Sequence, residues 1–292
     1  MGYGALGGRI ATLDAVHGWC RSFTVRFQSM ARDTPYRVFP VDDYDLALFA
    51  PVAAAFGQDR YGYVVTPNAD HLIRWHEDAS FRDVYAAADF VLMDSRFVAK
   101  LLRAWSGTSL RICTGSDLTE AVLSRIAAPQ DRIVLIGGEA SQAQALAARY
   151  GLQDLRHYNP PMGFANDPQA IEETLRYIEA QSPFRLCLLA VGAPRQEMLA
   201  EALRRRGIAR GLALCVGASI DFLTGKERRA PAWMQRAALE WLYRLIQSPL
   251  RLGSRYLVRG PRVFALIAQT QFVVRAPDVP EAEKLAAPAA GF

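Results

Sequence analysis

Short apolar runs alternate with longer segments of helical periodicity through most of the chain. Five runs of mainly apolar residues predict strands, at residues 63–66, 90–93, 132–136, 186–191 and 212–216. Each run is followed by Gly, Pro, Asp or Asn and then by a segment with the apolar spacing of a helix. Buried apolar strands that alternate with helices are typical of an α/β fold. We therefore predict a largely parallel sheet flanked by helices.

The composition divides the chain into four segments. Residues 1–35 are mixed and begin Gly-rich, so we expect poor order there, and residues 36–224 hold the predicted α/β core. Residues 225–275 form a basic, helical segment, which we predict to be an appendage. Residues 276–292 are rich in Pro, Ala and Glu and are predicted to be disordered. With 292 residues and 51% hydrophobic content, the chain can bury a large core.

Positive charge is concentrated in the appendage. Residues 225–275 carry ten Lys and Arg against two Glu, a net charge of +8, whereas the whole chain carries +5. Tryptophans and aliphatic residues are interleaved with these arginines, a pattern that suits an anionic membrane surface. Four of the arginines are spaced to share one helical face: Arg244, Arg251, Arg255 and Arg262. Composition alone leaves a solvated helix face or a nucleic-acid-binding patch equally open.

The cysteines, the histidines and the hydropathy restrict the class of protein. The four cysteines are far apart and form no CxxC pair, which favours a reducing compartment and argues against disulfides or a zinc site. The four histidines make no metal-binding pattern. No signal peptide and no run of 18 apolar residues is visible, so we expect contact with a membrane surface rather than a membrane span.

Polar residues that follow the predicted strands are candidates for a binding site, because ligands of open parallel sheets bind beyond the carboxyl ends of the strands. These positions are Thr66, Asn68, Asp94, Gly137, Gly138, Arg195, Gln196, Ser219 and Asp221. By position alone, Asn68 is more readily explained as a helix cap, whereas Asp94 suits a cap and a general base equally well. The glycine pair either admits a phosphate to a helix N-terminus or forms a plain tight turn. The Arg-Gln pair offers donors able to read a nucleobase edge or a sugar hydroxyl.

Six sequence segments carry more information than the fold class alone. In chain order they are TPNADHL, ADFVLMDS, TGSDL, IGGE, VGAPRQE and VGASIDFLTGKERRAPAWMQRAALEWLYRLIQSPLRLGSRYLV. Together they resemble the WecG/TagA/CpsF family of bacterial glycosyltransferases (glycosyltransferase family 26). The resemblance extends from about residue 36 to residue 272. The run RAPAWMQRAALEWLYRL is highly specific, because no generic fold requires it.

The resemblance implies a Rossmann-like core and a C-terminal appendage that docks on the membrane and completes the site. Members of this family are inverting, metal-independent enzymes that move an N-acetylmannosamine-type or related sugar from a UDP donor to an undecaprenyl-diphosphate-linked acceptor. The expected partners are thus a UDP-sugar, a lipid-diphosphate-linked acceptor and the anionic inner face of a bacterial cell membrane, with no cofactor and no nucleic acid. A uronic acid or another hexose is an alternative donor sugar, and a homo-oligomer is a possibility that the sequence leaves open.

Matching the motifs residue by residue implies individual roles. The proposed base of the family falls on Asp94, and its pocket Thr and Asn fall on Thr66 and Asn68. The other positions that the match implies are Arg111 and Gln196. In a metal-free reaction the basic appendage, including Arg229 and Arg236, is expected to stabilise the charge of the leaving UDP and to bind the acceptor diphosphate. The family usually follows its aspartate with Gly, whereas this chain has Ser95, a difference that bears on the donor more than on the chemistry.

Two other functional classes compete with this interpretation. A nucleotide-sugar-modifying enzyme would need a GxGxxG after the first strand and a Tyr-x-x-x-Lys or a catalytic Cys, and the sequence shows none of these. A nucleic-acid- or membrane-binding module without catalysis rests on the basic segment alone. The long resemblance counts against both.

Overall fold

The computed structural model describes residues 37–277, so the expectations for residues 1–35 and for the tail beyond residue 277 lie outside the described residues. The predicted α/β fold is confirmed, since a mostly parallel sheet is flanked by helices. The strands of this range are β1 (Arg37–Asp42), β2 (Tyr61–Val65), β3 (Phe90–Val91), β4 (Arg132–Ile136), β5 (Asp154–Tyr158), β6 (Leu186–Leu189), β7 (Gly211–Cys215) and β8 (Thr270–Arg275).

The central sheet has the strand order β3-β2-β7-β6-β4-β5, and each neighbouring pair is parallel. Every residue of β6 and β7 is buried, because helices cover both faces of the sheet. β5 lies at the edge, and its polar sequence DLRHY explains why the apolar pattern did not predict it.

Helices fill the connections between the strands. They are α1 (Leu46–Ala55), α2 (Ala69–Glu77), α3 (Ala79–Ala87), α4 (Arg96–Ser106), α5 (Gly115–Ala121), α6 (Ala140–Tyr150), α7 (Pro168–Ala180), α8 (Arg195–Arg206), α9 (Ser219–Leu223), α10 (Ala232–Ala237), α11 (Glu240–Gln247), α12 (Pro249–Gly253) and α13 (Arg262–Ala268). Short π-helical segments follow α5 and α12, at Val122–Ile126 and Ser254–Arg259, and Phe164–Asn166 is a 3₁₀ turn.

Apolar side chains pack against both faces of the sheet. Successive residues of a strand point to opposite faces, so Tyr63 and Val65 of β2 enter one core and Val64 enters the other. Phe39 belongs to the first core and Phe49 to the second. Because both cores are closely packed, the loops that follow the strands start from fixed positions.

The last strand of the described range returns to the first. β8 pairs in parallel with β1, with Arg37 opposite Thr270 and Asp42 opposite Arg275. Asp42 also bridges to Leu92 just after β3, which joins this pair to the edge of the central sheet. Residues 270–275, which the sequence predicts to belong to a helical appendage, instead form a strand paired with β1.

The basic segment is not one long helix. Non-helical backbone at Ser248, with φ −141° and ψ 64°, separates α11 from α12, and a π-helical segment precedes α13. The prediction that the four arginines share one helical face is therefore wrong, because an interrupted helix does not keep its angular register. Arg262 pairs with Glu77 of α2, whereas Arg244 lines a cavity.

Candidate active site

A polar cavity of about 420 Å³ opens beyond the carboxyl ends of β2, β3, β6 and β7. This is the edge of a parallel sheet at which ligands bind. Most of the strand-end candidates meet here. The predicted site residues that line the cavity are Thr66, Asn68, Asp94, Arg195, Gln196, Ser219, Asp221 and Arg229.

Asp94 lies three residues beyond the end of β3 and forms part of the cavity wall. Its Oδ1 accepts the backbone N–H of Gly115 at 2.8 Å, which fixes the carboxylate. Ser95, not Asp94, caps α4, because the Ser95 hydroxyl accepts the N–H of Val98. The helix-cap alternative for Asp94 is therefore wrong, and its carboxylate is able to accept a proton from a ligand in the cavity.

The surroundings of Asp94 strengthen it as a base. Burial raises the pKa of this carboxyl, although the hydrogen bond from Gly115 and the positive charge of Arg244 act in the opposite direction. A carboxylate with a raised pKa binds a proton more tightly than a solvent-exposed one. Proton acceptance during a reaction is more effective for such a group.

Thr66 and Asn68 hold the wall beside Asp94. The Thr66 hydroxyl donates to the carbonyl of Cys215 at 3.2 Å and so links the ends of β2 and β7. The Asn68 Oδ1 accepts the N–H of Asp70 at 3.1 Å, which confirms that Asn68 caps α2. Capping engages only the side-chain oxygen, so the amide nitrogen is still able to donate to a ligand.

Two arginines of the predicted set line the cavity. Arg195 begins α8, and Arg229 lies in the loop before α10. The Arg229 guanidinium pairs with Asp117 at 2.7 Å and donates to the Thr114 hydroxyl at 3.4 Å. Burial acts to raise the pKa of Asp117, but hydrogen bonds from Arg229 and Thr114 outweigh burial and lower this pKa. Asp117 therefore stays ionised and offsets the charge of Arg229, which offers a ligand its N–H donors more than net charge.

A buried trio of side chains joins α2 to α8 at the cavity wall. Gln196 Nε2 donates to Glu197 Oε1 at 2.8 Å, and Gln196 Oε1 accepts the N–H of Gly217 at 3.0 Å. His71 Nε2 lies 3.2 Å from the same Glu197 oxygen. The Asn68 N–H donates to His71 Nδ1 at 3.4 Å, which assigns the ring proton to Nε2. Both ends of the Gln196 amide are thus used within the protein, and this residue orients the wall.

The match to a protein-family model shows the family of the chain. A model of the glycosyl transferase WecG/TagA/CpsF family matches residues 37–276. The chain belongs to this family. The matched region begins at the first residue of β1 and ends one residue after β8, so the paired terminal strands enclose it. The protein is accordingly a glycosyltransferase of cell-surface glycan synthesis, a class that uses a nucleotide-sugar donor and a glycan acceptor.

The glycine pair of this glycosyltransferase lies in the turn after β4, outside the cavity lining. Gly137 has φ +94°, and a Cβ there would lie 2.9 Å from the carbonyl carbon of Ala190. Gly138 has φ +75°, which also favours glycine. The tight-turn alternative thus accounts for both residues through backbone conformation and close packing.

Arg111 and Arg236 also lie outside the cavity lining. Arg111 is 47% exposed, forms an ion pair with Asp43 and donates its backbone N–H to the same carboxylate at 2.8 Å. Arg236 is exposed on α10, where its carbonyl accepts the ammonium of Lys100 at 2.9 Å. The structure therefore does not bring these two side chains to Asp94.

A second cavity of about 410 Å³ adjoins the first. The two cavities share Asn68, Asp94, Glu240 and Arg244 as lining residues. The walls of the second cavity are mainly apolar, with contributions from both the core and the appendage. They include Ile73, Phe97, Trp241, Tyr256, Val263 and Phe264.

Glu240 and Arg244 are site residues that the sequence analysis missed. Both lie on α11, within the run RAPAWMQRAALEWLYRL. The specificity of this run was the feature of the sequence that could have indicated them. Arg96 Nη1 donates to Glu240 Oε1 at 2.7 Å and so ties α11 to α4 of the core. The appendage therefore completes the wall around Asp94.

Three further observations concern residues 37–277 only. No group of three or more His, Cys, Asp or Glu side chains there is arranged to hold a metal ion. None of the helices in this range has the length and apolar character to cross a membrane. Cys113, Cys187 and Cys215 are free and buried, and burial raises the pKa of each thiol.

Proposed function

We propose that this glycosyltransferase moves a sugar from a UDP donor to a polyprenyl-diphosphate-linked acceptor, with inversion at the anomeric carbon. The observation that carries the proposal is the fixed Asp94 carboxylate at the strand edge of a polar cavity that arginines also line. By resemblance, the donor sugar is of the N-acetylmannosamine type, a uronic acid or a related hexose. UDP-sugar acts as a substrate, and no resident cofactor or metal takes part.

The proposed reaction is a single displacement. An acceptor hydroxyl oxygen bonds to the anomeric carbon while the bond from this carbon to the UDP oxygen breaks, and Asp94 takes the hydroxyl proton. UDP leaves with negative charge on its terminal phosphate. Arg195 and the N-terminus of α8 lie at the cavity and supply positive potential, and Arg229 supplies N–H donors; together they stabilise this charge.

The appendage supports docking on an anionic membrane. Its exposed large apolar side chains include Trp233, Ile246, Leu250, Leu257 and Val258, and Leu250 is 100% exposed. Arg228 and Arg236 of the same segment are exposed as well. Apolar side chains beside cations suit insertion into the boundary of an anionic bilayer. We infer a peripheral location on the inner face of the bacterial cell membrane, where the lipid-linked acceptor is available.

Release of UDP tests the proposal. Purified protein is incubated with a panel of UDP-sugars, with and without a membrane extract that contains lipid-linked acceptors. We expect one donor to give UDP release that requires the extract. Asp94→Asn is the matched control, because Asn keeps an oxygen for the Gly115 N–H. Equal release by wild type and control, or release by neither with any donor, would contradict the proposal.

A further inference from the structure

Helix α4 of the core presents an apolar stripe that the core does not cover. The inner face of α4 is buried, at Val98, Ala99 and Leu102. Phe97, Leu101 and Trp105 recur at intervals of four residues and so share a neighbouring face. Phe97 and Leu101 are half-buried, whereas Trp105 is 65% exposed. A single exposed apolar side chain is ordinary, but a stripe of three that ends in an exposed tryptophan indicates a surface that binds a partner.

The charge of α4 restricts the kind of partner. The helix carries Arg96, Lys100 and Arg103 and no acidic residue, and the next acid along the chain is Asp117. Lys100 and Arg103 are exposed. Exposed cations beside apolar side chains, with a tryptophan among them, are typical of a helix that lies in the interface of an anionic bilayer.

The apolar stripe of α4 is continuous with the surface that we propose for membrane docking of the appendage. The Phe97 ring lies 5.9 Å from the ring of Phe264 on α13, which is 54% exposed. The Lys100 ammonium donates to the carbonyl of Arg236 on α10 at 2.9 Å, and α10 also carries the exposed Trp233. α4 therefore lies beside two appendage helices with exposed apolar side chains, so one bilayer surface can contact all three helices.

We propose that α4 is a membrane-binding element of the core, in which Trp105 enters the interface of an anionic bilayer and Lys100 and Arg103 contact lipid phosphates. This inference rests on the proposed function. It adds to the appendage a membrane contact that the core itself supplies.

The position of α4 relates this contact to the reaction. The helix begins two residues after Asp94, and its axis rises about 14 Å from Arg96 to Trp105. Asp94 and Trp105 are therefore at opposite ends of one rigid element. A bilayer bound at Trp105 would hold the proposed base at a fixed distance from the lipids.

Sedimentation of the full-length protein with vesicles of phosphatidylcholine and phosphatidylglycerol tests the inference. Trp105→Glu should weaken binding by about tenfold or more, because it removes an apolar side chain from the interface and adds a negative charge. Arg103→Gln should weaken binding by about fivefold at low salt and by much less at high salt, since salt screens the attraction to anionic lipids. Trp105→Phe, which keeps an apolar ring, should bind nearly as the wild type does.

Ile208→Glu is the matched control. Ile208 is 56% exposed and lies just before β7, at the edge of the sheet opposite the cavity. This variant should bind vesicles as the wild type does, although it exchanges an exposed apolar side chain for the same charge. Thermal unfolding checks that each variant folds.

Fluorescence gives a second measurement that does not need the disruptive substitution. Brominated phosphatidylglycerol in the vesicles quenches tryptophans that enter the bilayer. Quenching should be smaller in Trp105→Phe than in the wild type at equal amounts of bound protein, because the variant lacks the fluorophore at the end of α4.

Three results would overturn the inference. In the first, Trp105→Glu binds vesicles as tightly as the wild type; if it also loses oligomers that the wild type forms in solution, α4 is instead a contact between copies of the chain. In the second, Trp105→Phe is quenched as strongly as the wild type, which would assign the quenching to other tryptophans. In the third, the wild type does not bind anionic vesicles. Failure of the proposed function would differ from these, because vesicle binding would remain Trp105-dependent while no UDP-sugar gives acceptor-dependent UDP release.

Discussion

Replacement of Asp94 by Asn separates the chemical role of this side chain from its structural role. The variant loses the ionisable group but keeps an oxygen that can accept the Gly115 N–H, now 2.8 Å from Oδ1. Because burial raises the pKa of Asp94, the ionised carboxylate destabilises the folded state at any pH above that raised value. We therefore expect the variant to lose activity without losing stability.

In Asp94→Asn, the expected change in turnover is much larger than the expected change in stability. Loss of a general base lowers turnover by about 10²–10⁴-fold, so kcat should fall at least on the order of a hundredfold. The donor KM should stay near that of the wild type, because the arginines that line the cavity are unchanged. Removal of a buried charge should raise the Tm slightly, and about 1 kcal/mol corresponds to about 2–4 °C in chains of roughly this size.

Activity and stability should change in opposite directions as the pH is lowered. As the pH falls through the raised pKa of Asp94, the carboxyl gains its proton, so wild-type kcat/KM should fall. Over the same range the wild type should gain stability relative to the variant, until the two Tm values meet. UDP release and thermal unfolding, each measured across a pH series, follow the two quantities.

Three outcomes would refute this reasoning. A variant with near wild-type turnover would exclude Asp94 as the base. A wild-type rate that falls only at the pKa of a solvent-exposed aspartate would contradict the effect of burial. A variant Tm several degrees lower would show that the charge is structural. Asp117→Asn is a useful comparison with the opposite sign, because pairing lowers the pKa of Asp117 and its charge stabilises the fold at neutral pH.

Three further predictions address the buried trio, metals and the membrane. Glu197→Ala should lower the Tm, because His71 and Gln196 each lose a buried hydrogen-bond acceptor, at about 1–3 kcal/mol each. Glu197→Gln should lower the Tm less, because it keeps an acceptor oxygen. If wild type and Glu197→Ala have equal Tm values in a thermal scan, the trio does not stabilise the fold. Sugar transfer should continue in EDTA, since arginines line the cavity, whereas loss of activity with rescue by magnesium or manganese would contradict a metal-independent reaction. Leu250→Glu should weaken sedimentation with anionic vesicles at an unchanged Tm, because Leu250 is 100% exposed; undiminished binding would contradict docking through this surface.

The buried strands could be predicted because helices on both faces of the sheet require continuous apolar runs. The five predicted runs fall within two residues of β2, β3, β4, β6 and β7. The missed strands β1, β5 and β8 lie at or beyond the edges of the central sheet, where polar side chains are tolerated. β1 and β8 are also at opposite ends of the described chain, and no local pattern indicates that they pair.

The difference between buried strands and less constrained segments also explains which site residues could be predicted. Asp94 and Thr66 could be placed in the cavity because they follow buried strands, whose ends the sheet fixes. Arg111 could not, because its position depends on a loop whose direction is set by the ion pair with Asp43. Arg244 was misplaced for a different reason. Its spacing suggested one continuous helix, whereas the backbone at Ser248 breaks that helix, and the Arg244 side chain lines the cavity beside Asp94.

The pairing of β8 with β1 bears on how membrane docking can be separated from folding. Removal of the chain from Gly225 onward would delete β8 and α13 along with the exposed apolar side chains. Phe39, which is 1% exposed and lies 5.5 Å from the ring centroid of Phe272, would then lose part of its cover, and the edge of β1 would lose its partner. Such a truncation would destabilise the core whether or not the appendage binds a membrane. Only substitutions at exposed positions such as Leu250 can therefore attribute a loss of membrane binding to the docking surface itself.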